Sequence, residues 1–441
     1  AAGDYEVSLT GEGPVALSTT QSFTLAQGQK ETAEFTFTTG EVGIGAVNLS
    51  VEGPGGFAVS RSYPIQSRTP YFPVTEVRTA ALDPGETFQL TSAITDPYVE
   101  GSAEVAVSFS RLDGVEPGPL LDALYRYPYG CSEQLTSSAM PLLFVDVLGG
   151  QVGKGPERAV RPRVQKAVNE LLNRQSPDGA FGLWRVGDRW ASPWLGAYVT
   201  DFLYRAKNEG YGVPEEALAR AYDSLEDIAR VDRWYLASYQ TNVSEFTGNN
   251  DTREFLKRRS AAYALYVLAR AGRADLSDLR YFHDALLDDT PSPLARAQIG
   301  AALAMMGDRA RAESAFEKAM QAVGWQNRGD YYQTALRDVA GLVALAVETG
   351  QTDKTEALIE QLKTYMKDPK AMHTQEKAFT LLAAQALLRT ADAVELTVNG
   401  QSLSDLPPAP SFTPDEAEID DGVAYRNDGE GQIFRSLTVT G

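Results

Sequence analysis

The pattern of apolar and polar positions changes period twice along the chain. In residues 1–66 it runs at the two-residue period of a strand. Tyr5-Glu6-Val7-Ser8-Leu9, Glu34-Phe35-Thr36-Phe37-Thr38 and Ala46-Val47-Asn48-Leu49-Ser50-Val51 each put apolar side chains on one face. Turn formers separate them, as in Gly11-Glu12-Gly13-Pro14 and Gly53-Pro54-Gly55-Gly56. Short strands at that spacing predict an antiparallel sandwich. Over 67–117 the β pattern continues, with predicted strands at Phe88–Ile94 and Ala103–Phe109. Near residue 118 the period becomes helical and stays so to about Arg389. Ala197–Ala206, Ala261–Gly272, Ala297–Gly307, Ala340–Gly350 and Lys377–Leu387 are apolar helices, and several alternate with a more charged one such as Asp353–Met366. That alternation predicts either a closed α/α toroid or an open solenoid. From 391 the strand period returns. Val394–Leu403 carries Asn399-Gly400 between alternating runs, a strong hairpin signal, and Gln432–Val439 is the last predicted strand.

Composition narrows the class. A length of 441 residues suggests two to four domains, and a hydrophobic fraction of 43% is ample for packed cores. A net charge of −19 argues against nucleic acid and against an anionic membrane surface as partners. No apolar run approaches the roughly 20 residues that span a bilayer. The opening Ala1-Ala2-Gly3-Asp4 has no initiator Met and no signal sequence, so the chain reads as a mature protein or an excised fragment. Sixty-six residues are short for a whole sandwich, so the first β unit is expected to be incomplete. Two histidines, His283 and His373, with one cysteine are too few for a typical zinc site, and neither a metal nor a cofactor is expected.

The single cysteine, Cys131, lies in Tyr127-Pro128-Tyr129-Gly130-Cys131-Ser132-Glu133-Gln134. Residues three apart on a helical turn are neighbours, so the sulfur can reach the Gln134 carboxamide. Attack there expels ammonia and closes a thioester between the two side chains. Thiolate is the reactive form, so the pocket is expected to favour it. Gly130 is expected to permit a tight turn where a Cβ would clash. The competing reading is a buried structural cysteine beside a polar turn, since free cysteine is among the most buried residue types. For an isolated Cys-x-x-Gln that reading is the stronger one, and what reverses it is a resemblance carried by the eight-residue context and the flanking pattern. One cysteine excludes an internal disulfide, and a lone thiol in an oxidising compartment is a liability that a thioester would mask.

Tyr127 to Gln134 resembles the Cys-x-Glu-Gln thioester signature of the α2-macroglobulin and complement proteins, and its Tyr-Pro-Tyr-Gly flank looks like the bacterial α2-macroglobulin version. Asn173-Arg174-Gln175-Ser176-Pro177-Asp178-Gly179-Ala180-Phe181-Gly182-Leu183-Trp184 resembles a segment that recurs between helices of α/α toroids, thioester domains among them. Pro177-Asp178-Gly179 is a turn, and Ser192-Pro193-Trp194 opens the next helix with a Ser cap and Pro in the first turn. The resemblance implies a multidomain α+β chain. A macroglobulin-like β-sandwich spans 1–66, a CUB-like β-sandwich is split between 67–117 and 391–441, and an α/α-toroid thioester domain, 118–390, is inserted into it. It also implies a broad-spectrum protease inhibitor of bacterial defence. A protease cuts a bait region, the protein rearranges, and the thioester acylates a lysine of the attacker. Gln134 supplies the acyl group and Cys131 leaves as thiolate. Such a protein is a single-use covalent trap and not a turnover enzyme. The expected partners are target proteases, bound through lysine amines. The expected state is a monomer in the periplasm, cell envelope or secreted medium, with any membrane tether outside this chain. Tyr127, Tyr129, Gly130, Glu133, Trp184 and Trp194 are expected to form the thioester's environment, with Trp190 in the same aromatic screen.

Two alternatives stand beside the trap: a covalent adhesion or binding module using the same thioester, and an α/α-toroid enzyme. The acidic pairs Asp288-Asp289 and Asp420-Asp421 lie in turn-like segments, which disfavours a terpene-cyclase reading. A papain-like cysteine needs a histidine base. His283 reads as a half-buried helix residue and His373 as a turn or cap residue. Some complement-type domains carry a histidine shortly after the Asp-Gly-x-Phe segment that directs the acyl group to hydroxyls. Trp184 to Tyr198 contains none, so direct attack by amines is expected.

Overall fold

The computed structural model describes residues 1–68, 74–125, 127, 129–149, 151–152, 160–188, 192–230, 250–325, 332–403 and 406–441. Its strands are β1 (Gly3–Glu12), β2 (Val15–Ala16), β3 (Ser18–Leu25), β4 (Thr38–Thr39), β5 (Gly43–Gly53), β6 (Phe57–Ser67), β7 (Thr75–Leu82), β8 (Thr87–Leu90), β9 (Glu104–Ser110), β10 (Gln151–Val152), β11 (Leu396–Val398), β12 (Gln401–Leu403), β13 (Ser411–Phe412), β14 (Val423–Asn427) and β15 (Ile433–Thr440). Its helices are α1 (Pro117–Tyr125), α2 (Ser132–Ala139), α3 (Val145–Gly149), α4 (Val160–Leu172), α5 (Pro193–Asn208), α6 (Glu215–Ala229), α7 (Asn250–Arg270), α8 (Leu276–Tyr281), α9 (Pro293–Met305), α10 (Arg309–Gln321), α11 (Ala335–Glu348), α12 (Thr352–Tyr365), α13 (Thr374–Leu388) and α14 (Glu416–Asp421).

The first sheet is antiparallel in the order β3-β1-β5-β6. Its register sets Val7 opposite Val51 and Leu9 opposite Leu49, so the alternation collects apolar residues on one face. Val47 on that face is buried, whereas Phe57, Val59 and Tyr63 are exposed. Among the described residues no second layer closes over it. The alternating run Glu34–Thr38 is not a strand. Only its end pairs, Thr38 and Thr39 against Ala16 and Val15. Alternation yields a strand only where a neighbour offers a ladder of backbone partners. Likewise the run Phe88–Ile94 pairs as far as Leu90 and then closes into a 3-10 turn, Ser92–Ile94.

Two further sheets, β10-β13-β9-β15-β7 and β12-β11-β14-β8, draw strands from both sides of the helical segment. β15 lies between β7 and β9, and β14 pairs with β8. They share one core, in which Phe109 packs on Tyr425 at 5.3 Å between ring centroids and on Phe412 at 6.0 Å. Asn399 (φ 49°) and Gly400 (φ 81°) both take positive φ, as a two-residue type I′ hairpin requires. Apart from the two-residue β10, which joins the first of these sheets from within the helical segment, the chain therefore leaves a two-sheet unit near residue 117 and re-enters it near 394.

The helical segment closes on itself. α2 packs on α5, α5 on α7, α7 on α9, α9 on α11, α11 on α13, and α13 returns to α2. α6, α10 and α12 stand outside this ring against α5 and α7, α9, and α11 respectively. Ring helices are buried on almost every side, as in α11 and α13, which suits their Ala- and Leu-rich sequences. The C-terminal ends of α5, α7, α9, α11 and α13 meet at one cleft lined by Arg205, Arg270, Met305, Glu348 and Gln385. There Glu348 accepts from Arg205 at 3.1 Å and Arg270 at 2.8 Å, and cations lie where the helix carbonyl ends point. At the other end of the ring the start of α13 meets α2 beside the cysteine turn, where Thr374 bonds Glu133.

Candidate functional site: the cysteine turn

Cys131 is the N-cap of α2, in extended conformation at φ −68°, ψ 164°. Its sulfur meets the backbone N–H groups of Gln134 and Glu133, the unpaired amides of a helix start. Gln134 is the third residue of the helix. Its Oε1 accepts the Cys131 N–H at 3.2 Å, and its Nε2 donates to the Tyr127 hydroxyl at 3.3 Å. This is a reciprocal capping arrangement in which Cys and Gln stand where Ser or Thr and Glu or Gln usually stand. It brings nucleophilic sulfur and carboxamide to the same helix end. It also aims an N–H at the carbonyl oxygen, where negative charge collects when sulfur attacks.

Burial governs the thiol. Cys131 is 6% exposed, and desolvation pushes its pKa up to about 11. The Gln134 and Glu133 N–H groups and the Arg174 guanidinium pull it down, while the Glu133 carboxylate pushes with the burial. The expectation of a thiolate-favouring pocket is therefore corrected: loss of water outweighs the helix N-terminus. Burial likewise raises the Tyr127 hydroxyl.

The turn is fixed from the side by the loop that carries Asp178-Gly179. Ser132 N–H donates to the Leu183 carbonyl at 2.8 Å and its hydroxyl to the Gly182 carbonyl at 2.6 Å. Arg174 reaches the Gly130 carbonyl at 2.8 Å, the Leu183 carbonyl at 3.1 Å and the Ser132 hydroxyl at 3.2 Å. Gly179 has φ +86°, and a Cβ there would lie 2.0 Å from the Arg220 carbonyl oxygen, so this position requires glycine. Gly130 does not: a Cβ on it would meet only Leu135, at an ordinary 3.8 Å. Its part in the site is its carbonyl, which corrects the steric expectation.

Beneath the turn, Glu133 is buried and accepts from Ser137 Oγ at 2.7 Å and from Thr374 Oγ1 at 3.0 Å. Ser137 also meets the Tyr198 hydroxyl at 2.9 Å. Burial raises the Glu133 carboxyl, with those hydroxyls opposing. Thr374 is the first residue of α13. The N-cap before it is His373, whose backbone N–H donates to Glu376 at 2.9 Å. The fold thus brings His373 to the motif helix from far along the chain.

The expected aromatic environment is split. Tyr127 is half-buried on Gln134, with Tyr129 edge-on to it at 5.5 Å and 64% exposed. Trp194 is buried, stacked on Tyr332 and tilted against Tyr198, both at 5.1 Å. Its place is the ring interior. Trp184 is 55% exposed, and its backbone N–H donates to Asp188 at 2.9 Å. Trp190 lies outside the described residues. Sequence reasoning gave no role to Arg174, Ser132 or Thr374. Arg174 had one signal, its place beside Gln175 in the toroid segment. Thr374 had one too, since Thr374-Gln375 resembles the pair that opens a late helix in thioester domains, but its contact with Glu133, 241 residues away, had none. Among the described residues no group of His, Cys, Asp and Glu is placed to hold a metal, and no helix is long and apolar enough to cross a membrane.

Residues 115–253 match the A-macroglobulin TED domain family. The chain is 30% identical over 331 residues to the alpha-2-macroglobulin of Escherichia coli K12, covering 72% of this chain and 19% of that protein. The crystal structure of native E. coli alpha-2-macroglobulin from domain MG7 to the C-terminus matches with TM-score 0.74 at 23% identity, over 100% of this chain and 70% of that one. The trypsin-activated E. coli protein matches with TM-score 0.52, also at 23% identity, over 100% of this chain and 30% of that one. Fold and cysteine turn together define a macroglobulin-type protein with a TED domain. The chain belongs to the bacterial α2-macroglobulin family, and it spans about a fifth of the length of the curated relatives it matches.

Proposed function

We propose that this chain is the thioester-bearing part of a bacterial protease trap. In this reading the helical ring is an α/α-toroid thioester domain inserted into a CUB-like sandwich, and the first sheet belongs to a macroglobulin-like domain. The observation that carries it is the mutual hold of Cys131 and Gln134 at one helix start. In closure the Cys131 sulfur bonds to Gln134 Cδ, the C–N bond breaks, and the thiol proton leaves with the nitrogen as ammonia. The Cys131 N–H holds the oxygen throughout. In opening, a lysine amine attacks Cδ, the C–S bond breaks, and the sulfur takes up the amine proton. The new amide is permanent, so each molecule acts once. A thiol held near pH 11 is a poor leaving group, so the buried turn keeps the acyl bond until rearrangement exposes it. That the E. coli relative is known in a trypsin-activated form supports a protease as the trigger. The setting is the periplasm, cell envelope or secreted medium, as a monomer, with any tether elsewhere in the protein.

Intact mass tests this on the full-length protein. The expected mass is one ammonia below that of the sequence, with iodoacetamide labelling Cys131 only after methylamine treatment. A full mass, with stoichiometric labelling before methylamine, would sink the reading.

A further inference from the structure

We infer that Arg174 is a positioning residue for the Cys131–Gln134 reaction, clamping the turn on both sides of the sulfur and holding a fixed positive charge beside it. The clamp is geometric. One guidinium nitrogen, Nη2, binds the Gly130 carbonyl, before Cys131, and the other, Nη1, binds the Ser132 hydroxyl, after it. A third bond to the Leu183 carbonyl ties the same group to the adjoining loop. A planar guanidinium serves several acceptors at once from one orientation, which an ammonium cannot. Its side chain is 14% exposed, so solvent screens it weakly.

The groups acting on the sulfur come from three directions. From α2 come the Glu133 and Gln134 N–H groups and the Glu133 carboxylate. From the preceding turn comes the Tyr127 hydroxyl. From the end of α4 comes Arg174, the cation among them. Glu170 stands 3.9 Å from the guanidinium on its outer side and partly offsets it. Negative charge on the sulfur, whether attacking or leaving, is disfavoured by burial, and Arg174 recovers part of that loss. The chemical meaning rests on the thioester reading, but the electrostatic coupling is read on the free thiol alone.

The test uses full-length protein after methylamine treatment, when Cys131 is free whether or not a bond had closed. Iodoacetamide alkylation is followed against pH for wild type, Arg174→Lys and Arg174→Gln, each checked for an unchanged thermal transition. Arg174→Gln is expected to alkylate about three- to tenfold more slowly at a fixed pH below the midpoint. Arg174→Lys keeps the charge but loses the clamp and is expected to fall between wild type and Arg174→Gln. Superposable wild-type and Arg174→Gln profiles, or an Arg174→Lys profile displaced as far as Arg174→Gln, overturn the assignment. Should Arg174→Gln fail to fold, Glu170→Gln gives a second reading. Freeing Arg174 of its counter-charge is expected to speed alkylation, and an unmoved profile overturns the assignment. The mass deficit before methylamine reads the thioester itself, so its absence counts against the proposed function and leaves the profile to judge Arg174.

Discussion

At the residue scale the site is a pair of side chains whose reactivity is set by what surrounds them. The pair was legible because a Cys three residues before a Gln needs no tertiary information to meet at one helix start. The surroundings were not legible, because burial is a property of the whole fold. The sequence chemistry called for a thiolate-favouring pocket, and the folded pocket favours the thiol. His373 was legible as a cap residue and stands at the N-cap of α13, but its place beside the Glu133–Thr374 contact was not legible, because that contact spans 241 residues. Among the described residues the His373 ring makes no hydrogen bond to Cys131 or Gln134, so amines should remain the preferred nucleophiles. General-base help worth about 10²–10⁴-fold would be needed for a hydroxyl to compete. Protease-activated full-length protein given equal methylamine and glycerol should carry methylamine on Gln134, and His373→Ala should leave that outcome unchanged. A dominant glycerol ester that disappears in His373→Ala would show that the imidazole relays the acyl group.

At the element scale, long apolar helices such as α11 and α13 were legible because their period persists for three or more turns. Strands β3 and β6 were not, since Ser18-Thr19-Thr20-Gln21-Ser22 and Ser60-Arg61-Ser62 carry hydroxyls that mute the alternation. Glu34–Thr38 shows the converse, alternation without a ladder. The contact that matters most to the site joins two helix starts, α2 and α13, through Glu133 and Thr374. Glu133→Ala leaves the Ser137 and Thr374 hydroxyls short of an acceptor in a buried place and should cost about 1–3 kcal/mol in denaturant unfolding. Glu133→Gln keeps an acceptor and should cost less. Burial raises the Glu133 carboxyl, so its protonated form is the one that folding favours. That contribution is full below the ordinary carboxylate value and is lost as pH rises through the raised one. Glu133→Gln should flatten this part of the stability–pH curve. A curve that keeps its slope in Glu133→Gln would assign the dependence to other groups.

At the scale of the whole molecule, the β–α–β order of the sequence becomes one two-sheet unit interrupted by a closed ring. The hairpin at Asn399-Gly400 and the change of period near residue 118 made the order legible, but which strands pair across the interruption is decided by register, which no local pattern carries. Tyr425 tests that arrangement. It is fully buried on β14 between Phe109 and Phe412, at 5.3 and 5.2 Å between ring centroids, and so touches strands from both ends of the unit. Tyr425→Ala removes a large core ring and should cost about 3–5 kcal/mol. Because β15 lies between β7 and β9, amide exchange should quicken in 104–110 and 433–440 together, while α5 and α11 in the ring keep their protection. Loss confined to 423–440 would mean that the two β segments fold as separate units. Equal loss in the ring helices would mean that ring and sheets open as a single body, leaving no independent hinge on which a protease-triggered rearrangement could turn.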